Sequence, residues 1–83
     1  MSYFIYILRT NKNTLYVGQT HDIVHRMKQH QEKTKKSAKY LRMFSSVELV
    51  YQEEVGSLSD ALKREAELKK WPKAKKELFI RKS

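Results

Sequence analysis

One carboxylate and one guanidinium fall where a helix should be apolar. At about 100° per residue, with Leu58 set at zero, Leu62 lies at roughly 40°, Ala61 at roughly 300° and Glu65 at roughly 340°. Glu65 therefore sits inside the apolar stripe, whereas Glu67, at roughly 180°, faces away. An inward carboxylate costs several kcal/mol unless it is paired or binds a metal. Two readings stand side by side: a buried ion pair with Arg26 or a nearby lysine, and a metal ligand. Arg26 poses the same question on another helix, where it lies beside the i, i+4, i+7 series Ile23, Met27 and His30. It either lays its stem along the apolar surface with its head in water or reaches over the sheet. Tyr6 and Tyr16, in two strand-like runs, are core aromatics on their own evidence.

The rest of the inventory narrows the chemistry. Two Asp, seven Glu, three His and five Tyr are present and there is no Cys. A disulfide framework, a thiolate zinc site and a cysteine nucleophile are thereby excluded. The spacing of a zinc hydrolase, H-E-x-x-H, is absent, and Gly18 and Gly56 alone cannot make a phosphate-cradling glycine loop. His21 and His25 could share a helix face, but they open the helix and are expected to be exposed.

Charge is the strongest compositional signal: 18 Lys and Arg against 9 Asp and Glu, a formal net charge of +9 over 83 residues. Its distribution is uneven. Residues 21–43 hold seven bases against Asp22 and Glu32, and residues 61–83 hold nine against Glu65, Glu67 and Glu77. Between them, residues 44–60 hold four acids and no base. Two basic segments around an acidic one suggest one electropositive surface for a polyanion such as nucleic acid. No apolar run approaches the ~20 residues that span a bilayer, and the N-terminus lacks a signal-peptide order, so a cytoplasmic protein with no membrane partner is expected. The length is that of one small domain, residues 1–83.

These residues need a frame. "YFIYIL", residues 3–8, is apolar on both alternating faces and reads as a central strand. "TNKNT", residues 10–14, is turn chemistry, and "LYVGQ" follows, making residues 3–19 a hairpin. Thr20 and Asp22 offer caps for a helix running to about Lys33. Residues 34–43 form a basic loop or short helix. Residues 45–55 alternate Val47, Leu49 and Tyr51 against Glu48, Val50 and Gln52, a third strand ended by Gly56. Ser59 caps a helix to Trp71, and Pro72 stops it or opens a last one that turns Ala74, Leu78 and Phe79 or Ile80 inward. The order is β-β-α-β-α-α, and the fold class is α+β: three strands with helices packed on them.

Taken in order, "FIYIL", "LYVGQT", "DIVHRMKQH" and "ALKREAELKKW" resemble the GIY-YIG nuclease domain over nearly the whole chain. The likeness is to its small stand-alone bacterial members, which share the "AKY" segment at Ala38–Tyr40 and a closing "KKE-L" helix, here Lys75–Leu78. Phe4-Ile5-Tyr6 stands where Gly-Ile-Tyr would, and Tyr16-Val17-Gly18 is the second motif. The resemblance implies a three-stranded antiparallel sheet and a metal-dependent endonuclease acting on DNA more than RNA, on branched, damaged, single-stranded or weakly specified forms. It implies Tyr6, Tyr16, Arg26 and Glu65 as catalytic residues, with Glu65 binding a divalent metal, Mg²⁺ or Mn²⁺. His30 sits where small members often carry a histidine, and Gln19 falls where the excision-repair nuclease carries a lysine. Gly18, Gln19, His30 and Lys69 are thus supporting residues, Lys69 through its i+4 position to Glu65. Gly18 is expected to let a phosphate backbone or the start of the Arg26 helix approach the sheet.

On that chemistry, Arg26 holds a non-bridging oxygen with its forked donors. Tyr16 serves as base or proton relay and Tyr6 as its positioning partner, because a phenol of pKa near 10 needs cations nearby to ionise at neutral pH. Lys28, Lys35, Lys36, Lys39, Tyr40, Arg42, Lys70 and Lys73 are the expected nucleic-acid contacts, in a monomer or weak dimer. The alternative is a nucleic-acid-binding module with the fold retained and little or no catalysis, since larger GIY-YIG enzymes take their targeting from additional domains.

Overall fold

The computed structural model describes residues 2–32 and 45–83. The expected basic segment 34–43 lies outside them. Strand β1, Tyr3–Thr10, and strand β2, Leu15–Thr20, form the hairpin. Its turn is built by side chains as much as by backbone. The Thr10 hydroxyl accepts from the amides of Lys12 and Thr14, both at 3.2 Å. Asn13 takes the left-handed conformation at φ 63°, which asparagine tolerates. The register sets Tyr6 opposite Gly18 and Leu8 opposite Tyr16.

Strand β3, Val47–Val55, pairs antiparallel with the other edge of β1, giving the order β2-β1-β3. β1 is central, as its two apolar faces require. A register shift between Ile7 and Leu8 leaves Val50 as an extra residue, because Ile7 faces Tyr51 and Leu8 faces Leu49. The bulge breaks the expected alternation. Val47 and Leu49 pack on one face of the sheet, while Val50 and Tyr51 join the core on the other.

Helix α1, Ile23–Glu32, lays Ile23 and Met27 on the first of those faces, against Tyr6, Leu8 and Tyr16. Asp22 caps it, its carboxylate accepting from the His25 amide at 3.0 Å. Helix α2, Leu58–Lys70, covers the opposite face, where Ile5, Ile7, Val17, Ala61 and Leu68 close a core. Its cap is Ser57, two residues before the expected Ser59, with Oγ accepting from Asp60 N at 3.1 Å. The α2 stripe is also rotated from expectation. Leu58 and Leu62 are 45% and 48% exposed, whereas Ala61 and Leu68 are fully buried. Glu65 therefore lies at the rim of the buried stripe and not at its middle.

Helix α3, Lys73–Lys82, follows Pro72 at its N-cap position. Ala74 and Leu78 are exposed, against expectation, while Phe79 and Ile80 turn inward. The helix is set by a fork from Arg9 on β1, which donates to both oxygens of Glu77 at 2.6 and 2.7 Å. Phe79 also packs edge-on against Tyr51 and Trp71.

Candidate active site

The α1 face of the hairpin gathers Tyr6, Tyr16, Arg26 and His30 around one phenol, and Glu65 acts on it from α2. Tyr6 is 1% exposed, and its hydroxyl lies 3.0 Å from Nε2 of His30, itself 2% exposed. The rings of Tyr6, Tyr16 and His30 form a triangle with centroids 5.9 to 6.5 Å apart. Burial pushes the Tyr6 phenol above its ordinary value. A hydrogen bond from Arg26 and the charge of that guanidinium pull it down, while Tyr16 and Glu65 push it up. Arg26, Tyr16 and Glu65 thus all act on the Tyr6 oxygen. Burial, then the Arg26 charge, lowers His30 to about 4, so its imidazole is neutral at ordinary pH. Nδ1 of His30 is buried with no hydrogen-bond partner among the described residues.

Gly18 is what allows this packing. A Cβ on Gly18 would stand 2.5 Å from Tyr6 Cζ and closer still to the hydroxyl oxygen. The approach expected of a phosphate or a helix start is occupied by the Tyr6 ring itself, lying over the strand opposite. The reason is contact and not conformation, since Gly18 has no positive φ.

Arg26 is half-buried and donates from Nη1 to Oε1 of Gln29 at 3.0 Å; the other end of that amide lies 3.1 Å from His25 Nε2. Gln29 was not expected to matter, although its i+3 spacing from Arg26 is the signal that could have found it. Glu65 keeps 20% of its side chain exposed and pairs with Nζ of Lys69 at 3.5 Å. That is longer than a charge-assisted hydrogen bond of about 2.8 Å, so the carboxylate keeps acceptor capacity. Such a rim carboxylate fits Mg²⁺, which retains several waters and takes one or two protein oxygens. No group of three His, Asp or Glu residues that could hold a metal occurs among the described residues. Gln19 and Arg26 both line an open groove of about 600 Å³. Lys28, Lys70 and Lys73 are exposed, the last paired with Glu77 at 3.5 Å. Lys35, Lys36, Lys39, Tyr40 and Arg42 lie outside the described residues.

A three-stranded antiparallel sheet with this hairpin and these helices is a fold of the nuclease type. A family model described as the GIY-YIG catalytic domain matches residues 2–77, and the chain belongs to that family. It is 42% identical over 78 residues to a UPF0213 protein of Syntrophus aciditrophicus, covering 94% of this chain and 88% of that one. It is 40% identical over 74 residues to a UPF0213 protein of Staphylococcus epidermidis, covering 89% and 88%. The solution NMR structure of a UPF0213 protein from Bacillus halodurans superposes with a TM-score of 0.61 at 32% identity, over 96% of this chain and 83% of that one. Among the described residues no helix is long and apolar enough to cross a membrane.

Proposed function

We propose that this domain hydrolyses phosphodiester bonds in nucleic acid, DNA more than RNA, at the Tyr6 cluster. The observation that carries the reading is the convergence on one buried phenol of Arg26 and His30 from α1, Tyr16 from β2 and Glu65 from α2. Hydrolysis needs a water in line with the leaving oxygen and neutralisation of charge on the phosphate. Arg26, held by Gln29, supplies forked donors for a non-bridging oxygen. Tyr16, half-exposed, is the phenol open to water and acts as base or relay. Tyr6, sealed and raised above its ordinary value, keeps its proton and positions its neighbours, with neutral His30 holding its hydroxyl. Glu65 would hold the divalent metal, Mg²⁺ or Mn²⁺, with Lys69 beside it. Bound there, that ion would supply Lewis-acid stabilisation of the phosphate and leaving oxygen.

The formal charge of +9 also supports a second reading, nucleic-acid binding with little catalysis, since it attracts a polyanion whether or not a bond is cut. The experiment is a panel of duplex, flap, junction and single-stranded DNA with Mg²⁺, Mn²⁺ or EDTA, run with wild type and Glu65→Ala. Metal-dependent cleavage lost in Glu65→Ala is the expected result. Salt-sensitive binding without cleavage under any condition, the same in Glu65→Ala, sinks catalysis and leaves the binding module.

A further inference from the structure

The groove beside Arg26 is chemically unlike the rest of this molecule. The chain carries a formal charge of +9. Yet Arg26 is the one Lys or Arg among the groove's described lining, and Asp22 the one carboxylate. The Asp22 carboxylate is occupied by capping the His25 amide at 3.0 Å. A track for a phosphate backbone would be lined by several cations, since phosphate binding rests on Lys and Arg displacing counterions. Here the walls carry the Gln19 and Gln29 amides, the His21 and His25 imidazoles and the Tyr3 phenol. Those groups offer mixed donors, acceptors and ring faces, the side-chain chemistry that reads base edges and stacks on bases. The Gln29 amide is committed to Arg26 and His25. Gln19 makes no side-chain hydrogen bond among the described residues, so both ends of its amide are available to a ligand.

Size and position agree with that chemistry. At about 600 Å³ the groove lies within the 300–1,000 Å³ typical of small-ligand sites. It suits one nucleoside and not a stacked duplex, so any base entering it must be unpaired. Arg26 lines the groove and also touches the Tyr6 cluster, so a phosphate on Arg26 delivers its attached nucleoside to the groove.

We infer that this groove is a nucleobase subsite, in which Gln19 reads the edge of the unpaired base adjoining the phosphate held by Arg26. The inference rests on the reading of Arg26 as phosphate ligand, and not on cleavage.

A thymidine dinucleotide tests it, because a single phosphodiester fixes the register. Binding is measured in EDTA by amide chemical-shift titration of the full chain. The probes are the intact dinucleotide and its two abasic forms, each with one base replaced by hydrogen. The expected result is that one abasic form binds about fivefold more weakly and the other binds like the intact dinucleotide. The amides of Gln19, Thr20 and Gln29 should move only when the required base is present. Gln19→Leu, with its spectrum showing a folded chain, should erase the difference between the two abasic forms; His21→Ala serves as a second variant. Equal binding of all three probes overturns the subsite, as does base dependence that survives in both variants. Base-independent binding of longer DNA that is still cleaved overturns the subsite while leaving the nuclease reading intact. Base-dependent dinucleotide binding with no cleavage of any DNA supports the subsite and overturns the nuclease reading.

Discussion

The two faces of the sheet are closed by different materials. On the α2 and α3 side, Ile5, Ile7, Val17, Ala61 and Leu68 make a core without polar side-chain atoms. Its charges stand at the rim in pairs: Arg9 with Glu77, and Arg64 with Glu53 and Glu67. Arg64 also lies over the Trp71 and Phe79 rings. On the α1 side the buried groups are Tyr6, Leu8 and His30, and one buried ring nitrogen goes without a partner among the described residues. An unmet buried polar atom costs on the order of 1–3 kcal/mol. β1 serves both faces by alternation, sending Ile5 and Ile7 one way and Tyr6 and Leu8 the other. Stability is therefore concentrated on one side of a strand and most of the proposed site on the other, with Glu65 acting on it from the rim of α2, and substitutions on each side should separate the two.

The largest expected effect tests the first half of that statement. Leu68→Ala removes a fully buried side chain from the α2 core, and such truncations cost about 2–5 kcal/mol. Urea unfolding should show that loss, while nucleic-acid binding at a temperature where the variant remains folded should be nearly unchanged. Binding that falls in step with stability in the folded variant would show that the two faces are coupled through β1.

Acid tests the second half. His30 is lowered from 6.5 to about 4, mainly by burial. Between those values the unfolded chain takes up a proton that the folded chain refuses. Stability is thus present above pH 6.5 and falls as pH drops toward 4, by about 3 kcal/mol. Glu77 works in a lower window. The Arg9 fork holds it at about 2 from an ordinary 4.5, so its contribution is present above 4.5 and lost as pH falls toward 2. Chemical denaturation across pH should resolve a decline between 6.5 and 4.5 that His30→Phe abolishes. A decline unchanged in that variant would move the acid sensitivity away from the site face.

Much of this division was legible in the chain. The doubly apolar "YFIYIL" made β1 central, and the alternation of Tyr6 against Ile5 and Ile7 assigned the faces before any contact was known. What stayed hidden depended on register and docking. The bulge at Val50, which carries Tyr51 across the sheet, has no local signal in "VELVYQ", which contains no Gly or Pro to mark a break. The stripe of α2 was read from Leu58 and Leu62, yet the helix docks through Ala61 and Leu68. Ala61 permits close approach, and the face centred on it and Leu68 is the one buried, which leaves Leu58 and Leu62 at the rim. Either Ser57 or Ser59 could cap that helix, and the extended chain after Gly56 selected the first. The Tyr6–His30 contact and the need for Gly18 follow only once Tyr6 lies opposite Gly18 and α1 lies over both.

Gly18→Ala sits between the two extremes in size. The added methyl meets the Tyr6 ring, which is held by His30 and Arg26. Overpacking of this kind costs about 1–3 kcal/mol. More telling than the cost is where the strain goes. The tyrosine and histidine resonances should shift while those of Ile7 and Leu68 stay in place. If the proposed cleavage occurs, it should fall further than stability alone would require. Uniform shifts through both faces would mean that β2 moves as a whole and that the ring over Gly18 is not specially held.

The smallest effect is expected at the rim of the stable face. Glu77→Gln keeps the shape of the side chain and one acceptor for Arg9 but removes the charge that faces both Arg9 and Lys73. Both partners are partly exposed, and pairs of that kind contribute about 1 kcal/mol or less. Urea midpoints at pH 7 should drop slightly, and the decline below pH 4.5 should flatten, because the carboxylate that carries it is gone. The window between 6.5 and 4.5 should be untouched, since it belongs to His30 on the other side of β1. If Glu77→Gln alters that upper window as well, α3 and the Tyr6 cluster share a linkage that runs through β1, and the separation of the faces fails at its weakest point.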